Sequence, residues 1–290
     1  MLAHTWQFLG TWTFEPVPGF AIAVTAVAYV AAAVTVSRRS PGRPWQAGRT
    51  ASFLGGLLLA WIVILGPIGA YDDIFFWSHM AQHIALMMII APLLLLGRPV
   101  LLLLRVTRPE ARRQMIVPVL RSRAVRVLTD PVLTWLLFAG TLIGTHFSPF
   151  YNYALEHPPV HDYVEHPLYL GVALLYYYPL LDGNPGQHRT PHGARVLSLA
   201  LMMMPEALTG FFIYAQGHVL YPWYAAVARP WGPSPLADQQ IGGAMMWGGG
   251  MLLDTGWLIA AVAAWLNAEQ ARTRRIDAQL ARRQVPACPA

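Results

Sequence analysis

The chain has 290 residues, of which 56% are hydrophobic and 12% are charged, and its sequence pI is about 9.7. Soluble globular proteins carry about a quarter charged residues, so this composition indicates a membrane protein. The high pI does not indicate nucleic-acid binding, because all basic residues are arginines that flank the apolar runs. The single cysteine, Cys288, excludes a disulfide within the chain.

Seven apolar runs are long enough to cross a bilayer as helices, and they show no two-residue alternation that would indicate a β-barrel. They are Phe20–Val36, Ala51–Ala70, Phe76–Leu96, Pro131–His146, Val164–Leu181, Val196–Gly217 and Gln240–Leu266. The predicted fold is therefore an all-α, polytopic membrane protein with seven transmembrane helices. Residues 1–268 form the predicted seven-helix transmembrane domain, and residues 269–290 form a predicted cytoplasmic C-terminal tail that begins as an extension of the last span.

The arginines predict the orientation of the chain. Four follow the first apolar run, eight follow the third, two follow the fifth and five follow the seventh, whereas only Arg229 falls on the opposite side. Basic residues in short loops stay cytoplasmic, so the N-terminus is predicted outside and the C-terminus inside. The segment Pro109–Leu128, with five arginines among apolar residues, is interpreted as an interfacial amphipathic helix that contacts anionic lipids.

The third span carries the strongest metal-binding pattern of the sequence. His79 and His83 are four residues apart in its first turns, which places both side chains on one helix face. Met87 extends the same face by one turn. Two imidazoles at this spacing form a ready pair of metal ligands, whereas the alternative is that each histidine only caps the helix or bonds to a loop.

Three further histidines fall at the same predicted outer boundary. His146 ends the fourth span, and His161 and His166 lie at the start of the fifth. His161 and His166 are five residues apart, so they are not expected to share a helix face closely. His161 instead aligns with Glu165, and Asp162 aligns with His166, as a metal ligand aligns with the carboxylate that orients it. The alternative is an ion-pair network at a helix start.

The last two spans add weaker signals. Met245, about a turn and a half into the seventh span, is a candidate soft ligand, although methionine also fills gaps in apolar cores. Glu206 and Asp254 fall near the bilayer midplane of the sixth and seventh spans. An unpaired charge is costly there, so they are interpreted either as an ion path or as protonated acids bonded to a neighbouring helix.

At these residues the chain resembles the membrane-integral CtaG-type cytochrome c oxidase assembly proteins. The matching segments, in the order of the family, are S-H-M-A-Q-H-I-A-L-M-M-I-I-A-P-L-L-L-L-G-R-P, T-H-F-S-P-F-Y, E-H-P-L-Y-L-G, Y-Y-Y-P-L-L-D-G-N-P and D-Q-Q-I-G-G-A-M-M-W. The resemblance implies functional roles for His79, His83, His146 and His166. In the family pattern a second histidine is expected four residues before His166. Asp162 occupies that place, and His161 lies one residue further back.

The resemblance implies a non-enzymatic assembly factor of the bacterial plasma (inner) membrane that helps to deliver copper to haem–copper cytochrome c oxidase. The predicted copper ligands are His79, His83, His146, His166 and His161, in an open site that faces outward. Asp162 and Glu165 would orient them, and Met87 or Met245 would be auxiliary ligands. The expected partners are oxidase subunits, a copper donor protein and the anionic lipid bilayer, with no nucleic acid. Homo-oligomerisation is left open.

Three alternatives to this interpretation remain. A copper transporter would use Glu206 and Asp254 along a path through the membrane. A bis-histidine haem protein would need a second histidine pair near the inner face, and the predicted spans contain none there. In the third alternative the histidines are structural and the protein binds no metal.

Overall fold

The computed structural model describes Phe8, residues 10–181, Pro185 and residues 190–284, with side chains up to residue 280; Cys288 lies outside this range. The first half contains α1 (Pro16–Arg39), α2 (Ala47–Leu65), α3 (Phe76–Ile84), α4 (Ala91–Leu96), α5 (Pro99–Val106), α6 (Pro109–Ala111), α7 (Val117–Leu120) and α8 (Arg123–Leu128). The second half contains α9 (Pro131–Phe147), α10 (Phe150–Glu156), α11 (Pro158–Val160), α12 (His166–Leu180), α13 (His192–Ala215), α14 (Pro222–Ala226), α15 (Pro235–Ala244) and α16 (Gly250–Gln284). The all-α prediction is confirmed for the described residues.

Four short π-helical segments join or interrupt these helices. They are Ala85–Ile90, Arg112–Ile116, His161–Glu165 and Met245–Gly249. A π turn closes its hydrogen bonds over five residues rather than four, so each such turn rotates the side chains that follow it. The first links α3 to α4, and the carbonyl of Met88 within it accepts a hydrogen bond from the Trp257 indole of α16 (2.8 Å).

Five helical stretches are long and apolar enough to cross a membrane. They are Pro16–Arg39, Ala47–Tyr71, Phe76–Val106, His192–Ala215 and Pro235–Leu280. These stretches correspond to predicted spans one, two, three, six and seven. Four of them contain the whole predicted span, and His192–Ala215 contains all of the sixth except its last two residues. The last stretch continues as one helix well beyond the predicted span, as expected for the start of the tail.

The fourth and fifth predicted spans differ from the other five. Pro131–Phe147 meets the length and hydropathy criteria only together with Phe150–Glu156, and the two helices are bent by 66° at their junction. The fifth span is helical, but α12 has only 15 residues and is preceded by a π turn. Seven spans and the orientation of the chain therefore stay predictions.

The predicted interfacial helix is not continuous, which corrects the interpretation of Pro109–Leu128 as one amphipathic helix. A π turn separates α6 from α7, and the chain breaks again before α8. Ser122 caps the start of α8 after the second break, because its hydroxyl accepts a hydrogen bond from the Val125 N–H (3.2 Å). A serine at this position caps a helix start and satisfies a backbone donor that would otherwise lack a partner.

Helix packing brings the histidine-bearing segments together. The helix α12 packs against α9 and against α4 with its preceding π turn, so it contacts both the third and the fourth predicted spans. The helix α15 packs against α3, and α13 packs against α9, α15 and α16. The larger apolar cluster of buried residues runs through α3, α9, α12 and α13, whereas a second cluster joins α1 and α2 to the α3–α4 region.

Glycines allow α13 and α15 to approach closely. A Cβ atom added to Gly243 would lie 2.6 Å from the backbone nitrogen of Tyr214, and one added to Gly210 would lie 2.5 Å from the backbone nitrogen of Trp247. Gly242 faces the ring of Phe76 at a similarly close approach. Small residues at helix crossings are typical of membrane bundles, and these glycines place α15 beside the histidine-bearing helix α3.

Candidate metal centre

The helix α3 carries two buried histidines near its first residues. His79 is fully buried and His83 is 3% exposed. Their rings are 6.3 Å apart between centroids and inclined by only 21°, as expected for side chains one turn apart on the same face. The predicted pair is therefore present, with both imidazoles inside the protein.

Asp238 of α15 fixes the start of α3. Its two carboxylate oxygens accept hydrogen bonds from the backbone N–H groups of Phe76 (2.9 Å) and Trp77 (3.0 Å). Arg229 donates to the same carboxylate from the other side (2.8 Å). The first N–H groups of a helix have no partner within it, so a buried carboxylate from another helix both satisfies them and positions the histidine pair.

A π turn brings His161 next to His166. The N–H of His166 bonds to the carbonyl of His161, five residues earlier, so these two residues lie on the same side of the segment. Their ring centroids are only 4.7 Å apart. The expectation that they do not share a face closely was wrong, because it assumed α-helical geometry. The π turn also explains how a histidine can stand five residues before His166 where the family resemblance implies four.

The five histidines form one continuous cluster. His79 lies at its centre, with its ring centroid 5.6 Å from that of His161. His83 in turn lies 5.2 Å from His146, which reaches the cluster from the end of α9. All five side chains are less than one-tenth exposed. The structure therefore brings together every histidine that the sequence singled out.

Two buried carboxylates adjoin one side of this cluster. Glu165 Oε2 lies 2.6 Å from His161 Nδ1, and Glu165 Oε1 lies 3.9 Å from His79 Nε2. Asp72 Oδ2 lies 3.4 Å from His161 Nε2 and 3.6 Å from His166 Nε2. The predicted pairing of His161 with Glu165 is present. The carboxylate within ion-pair distance of His166 is that of Asp72, whereas the sequence paired this histidine with Asp162.

The two carboxylates also control the protonation of His161, which precedes the predicted fifth span. Burial alone would lower the pKa of its imidazole, but the contacts with Asp72 and Glu165 outweigh burial and raise that pKa well above the usual value. In the metal-free protein the second proton on His161 therefore offsets part of the negative charge of the two carboxylates, and a metal ion bound at Nε2 would have to displace that proton.

Six buried imidazole nitrogens in the cluster form no hydrogen bond of good geometry, although three of them lie 3.4–3.9 Å from a carboxylate oxygen of Asp72 or Glu165. They are Nδ1 and Nε2 of His79, Nδ1 of His83, and Nε2 of His146, His161 and His166. Buried polar atoms normally have partners, so six exceptions in one place require an explanation. One ligand nitrogen each of His79, His161 and His166 lies within 4.8 Å of the others. In a tetrahedral site with bonds of about 2.0–2.1 Å the ligand nitrogens lie roughly 3.3–3.4 Å apart, so the three rings would have to move closer together to bind one ion.

Hydrogen bonds on the opposite ring nitrogens orient two of these histidines. His146 Nδ1 lies 2.7 Å from the carbonyl oxygen of Leu142, and His161 Nδ1 is bonded to Glu165. A proton held at Nδ1 leaves the lone pair of Nε2 free, which is the arrangement found in metal-ligating histidines. The Tyr169 hydroxyl donates to the other oxygen of Glu165 (2.8 Å) and so holds this carboxylate in place.

Buried tyrosines enclose the cluster. Tyr151 lies 4.6 Å from His79 between ring centroids, and its hydroxyl is 2.7 Å from that of Tyr224. Tyr224 donates to the carbonyl oxygen of Asp72 (2.5 Å), and Tyr221 donates to that of His146 (3.1 Å). The expectation of an open site is therefore wrong for this conformation, because aromatic side chains from α10 and α14 pack over the histidines.

The remaining predicted site residues lie elsewhere or in weaker contact. Met87 is buried within the larger apolar cluster, and Met245 packs against the same cluster, so core packing accounts for both. Asp162 is half-buried in the π turn. The roles of Met87 and Met245 as auxiliary ligands, and of Asp162 as an orienting group, stay predictions.

Sequence reasoning missed Asp72 and the capping role of Asp238 as parts of the site. Both acids lie outside the predicted spans, and no pattern in the sequence assigns either of them a partner. Asp72 is separated from His161 by 89 positions, and Asp238 reaches Phe76 across 162 positions. Only the unusual position of acids next to apolar spans could have pointed to them, since their partners depend on the fold.

Glu206 and Asp254 form a second buried polar region, between α13 and α16. Their side chains are 4% and 3% exposed, and the two carboxyl groups are hydrogen-bonded to each other. Gly250, one turn before Asp254, leaves room for the Glu206 side chain, because a Cβ there would lie 2.5 Å from Glu206 Oε1. The pair agrees with the interpretation of acids bonded to a neighbouring helix.

Together these observations describe an all-helical protein, within the described residues, that has five helices long and apolar enough to cross a membrane and a buried histidine–carboxylate cluster. The family model described as cytochrome c oxidase caa3 assembly factor (Caa3_CtaG) matches residues 27–268. The chain belongs to this family, which consists of assembly factors rather than catalytic enzymes. The matched residues include all five histidines of the cluster and both neighbouring carboxylates.

The relatives of the chain include longer proteins. It is 29% identical to uncharacterised proteins of Mycobacterium bovis and Mycobacterium tuberculosis, and 28% identical to one of Mycobacterium leprae, over 278 residues in each case. These alignments cover 93% of the chain but 42% of each relative, so the chain spans less than half the length of these curated relatives. No solved structure is significantly similar to it.

Proposed function

We propose that this protein is a bacterial inner-membrane assembly factor that holds copper at the histidine cluster and helps to deliver it to a haem–copper cytochrome c oxidase. The observation that carries the proposal is the set of six buried imidazole nitrogens without partners. Unpaired buried nitrogens of this kind are costly in a metal-free protein, whereas a bound cation would satisfy several of them at once.

The chemistry of the cluster fits copper. Imidazole nitrogen is a good ligand for copper, and mixed nitrogen and oxygen ligands suit Cu(II) in particular. His79, His161 and His166 would supply the nitrogens, and Asp72 and Glu165 would supply charge compensation next to them. The same ligands also accept zinc, so the proposal for copper rests additionally on the family, whose model is named for assembly of an oxidase that contains copper.

Copper delivery requires that the enclosed site open. The segments that cover the histidines are short helices rather than the long helices of the bundle: α10 carries Tyr151, and α14 carries Tyr224 and is preceded directly by Tyr221. Short helices separate from a bundle at lower cost than spanning helices, because they bury less apolar surface. We propose that these helices face the outer surface, in line with the arginine distribution, and that the oxidase or a copper donor protein meets the site there.

The proposal is tested by the metal content of the purified protein after exposure to copper. The variant His79→Ala with His83→Ala removes the central pair of the cluster and is expected to lose most of the bound copper. His157→Ala is the matched control, because this histidine is exposed and its Nδ1 lies 2.8 Å from the carbonyl oxygen of Tyr153 in its own helix. Equal copper content in the double variant and the control would contradict the ligand assignment.

A second measurement tests delivery rather than binding. Cells that depend on this protein for oxidase assembly should, with the double variant, contain oxidase depleted in copper, whereas His157→Ala should leave the copper content of the oxidase normal. Normal oxidase copper in cells that carry a non-binding variant would show that the metal site is not used for assembly.

A further inference from the structure

The histidine cluster is not uniform, because carboxylates adjoin only part of it. Within the described part of the chain, the ion-pair contacts of the cluster involve His79, His161 and His166, and none involves His83 or His146. The rings also form two separate pairs. The centroids of His161 and His166 are 4.7 Å apart, and those of His83 and His146 are 5.2 Å apart.

Neutral groups surround the second pair. His146 Nδ1 contacts the Leu142 carbonyl (2.7 Å) and the Thr145 hydroxyl (3.2 Å), which leaves its Nε2 unpartnered. His83 contacts the ring of Tyr169 at 4.4 Å between centroids, and its Nδ1 has no partner. Among the described residues, the pair therefore offers two buried nitrogens without partners and no carboxylate contact.

We infer that the cluster contains two cation positions rather than one, and that His83 and His146 form the second, which takes a monovalent copper ion. This inference rests on the proposed metal-binding function and divides its site. A divalent ion bound only by neutral ligands would bring two uncompensated charges into a buried site, which is strongly unfavourable. A monovalent ion brings one, and Cu(I) is stable with as few as two nitrogen ligands. The position next to Asp72 and Glu165 is suited to a divalent ion, because the carboxylates offset its charge.

His79 connects the two positions. Both of its ring nitrogens lack partners, and its ring lies 5.6 Å from His161 on one side and 6.3 Å from His83 on the other. Either position can therefore use His79 as a further ligand. An ion that moves from one position to the other could stay bound to His79 while its remaining ligands are exchanged.

The test uses the full chain in detergent with two probes, Zn(II) as a divalent ion without redox chemistry and Cu(I) under anaerobic conditions with a competing chelator. The wild-type protein is expected to bind about one Zn(II) and about two Cu(I) per chain. The variant His83→Ala with His146→Ala is expected to retain zinc and to lose about half of the bound Cu(I). The variant His161→Ala with His166→Ala is expected to lose zinc and to retain about half of the Cu(I).

His157→Ala serves as the control, and the glutamine versions of both double variants replace the alanine versions if the latter do not remain monodisperse. A single Cu(I) per wild-type chain, or loss of zinc binding in His83→Ala with His146→Ala, would overturn the two-position inference and leave the proposed function intact. Binding of neither metal to the wild-type protein would instead contradict the proposed function itself.

Discussion

The histidine cluster and the Glu206–Asp254 pair are both buried polar regions of one helical bundle, but they satisfy their polar atoms differently. The two acids come from two packed helices and bond to each other, which leaves one unpartnered oxygen on each. The histidines come from three segments and leave six unpartnered nitrogens, although carboxylates, carbonyls and hydroxyls lie around them. The Glu206–Asp254 pair therefore satisfies most of its polar atoms internally, whereas the histidine cluster leaves most of its ligand nitrogens without hydrogen bonds.

This difference distinguishes a structural contact from a binding site. A hydrogen bond between two carboxyl groups requires one proton between them, and such a bond can join helices in a membrane without any ligand. Imidazoles held by hydrogen bonds on one nitrogen and left free on the other have the arrangement of metal ligands. Burial alone does not separate the two cases.

The substitution Asp238→Ala should have the largest effect on stability. It removes the cap of α3 and leaves Arg229 without its carboxylate partner in a largely buried position. Breaking a buried ion pair costs about 3–5 kcal/mol. Asp130→Ala is the matched control, because Asp130 also caps a helix, α9, but forms no ion pair among the described residues; its loss should cost about 1 kcal/mol. Equal losses in the free energy of unfolding would show that Arg229 contributes nothing to holding the histidine helix.

The substitution Glu165→Gln tests whether the carboxylate side of the cluster is tuned for a cation. Glutamine keeps the size of the side chain and an acceptor for His161 but removes the charge, so the affinity for a divalent metal should fall about 10–100-fold. Asp162→Asn removes a half-buried carboxylate of the same π turn and should have a much smaller effect. Competition titrations with a metal chelator measure both, and a similar loss in the two variants would mean that only general charge matters.

The substitution Gly243→Ala tests the helix crossing that supports both regions. The added methyl group would lie 2.6 Å from the Tyr214 nitrogen, and separation of α13 from α15 should cost about 1–3 kcal/mol. Gly248→Ala is the control, since a Cβ there meets nothing within 4 Å and the change should be within about 1 kcal/mol of neutral. Thermal unfolding measures the stability of both variants. An unchanged melting temperature in Gly243→Ala would mean that α13 and α15 can move apart to accommodate the methyl group without loss of stability.

The substitution Glu206→Gln should have the smallest effect. An amide replaces one carboxyl group of the hydrogen-bonded pair and can still donate to Asp254, so the free energy of unfolding should change by about 0.6 kcal/mol and the bound copper should not change. Copper uptake into proteoliposomes that depends on Glu206 would contradict this and would favour the transporter alternative. Asp254→Asn should behave in the same way, because the two acids share one bond.

Much of the fold was predictable from the sequence because hydropathy reports it directly. Long apolar runs located five span-length helices, and the four-residue spacing of His79 and His83 placed both on one face. The bend after α9 was not predictable, since apolar residues continue across it. The break before α8 depends on a single capping serine within a pattern that otherwise fits one amphipathic helix.

The candidate site was predictable only in part, for two physical reasons. Its histidines could be found because ionisable residues at the ends of apolar runs are rare. The joining of His161 to His166 depends on a π turn, for which the local sequence has no clear signal, and the sequence therefore favoured Asp162 as the neighbour of His166. Asp72 could not be assigned because it reaches the cluster from a loop that is distant along the chain.

The π turn at His161–Glu165 has a consequence for how this protein tolerates insertions and deletions. Removal of one residue between His161 and His166 would allow an ordinary α-helix there, with the two histidines four residues apart and still on one face. The family resemblance implies that four-residue spacing, and this chain brings its two histidines together with five. A change of chain length that would disrupt most helical ligand pairs can therefore be neutral at this position, provided that the helix changes type with it.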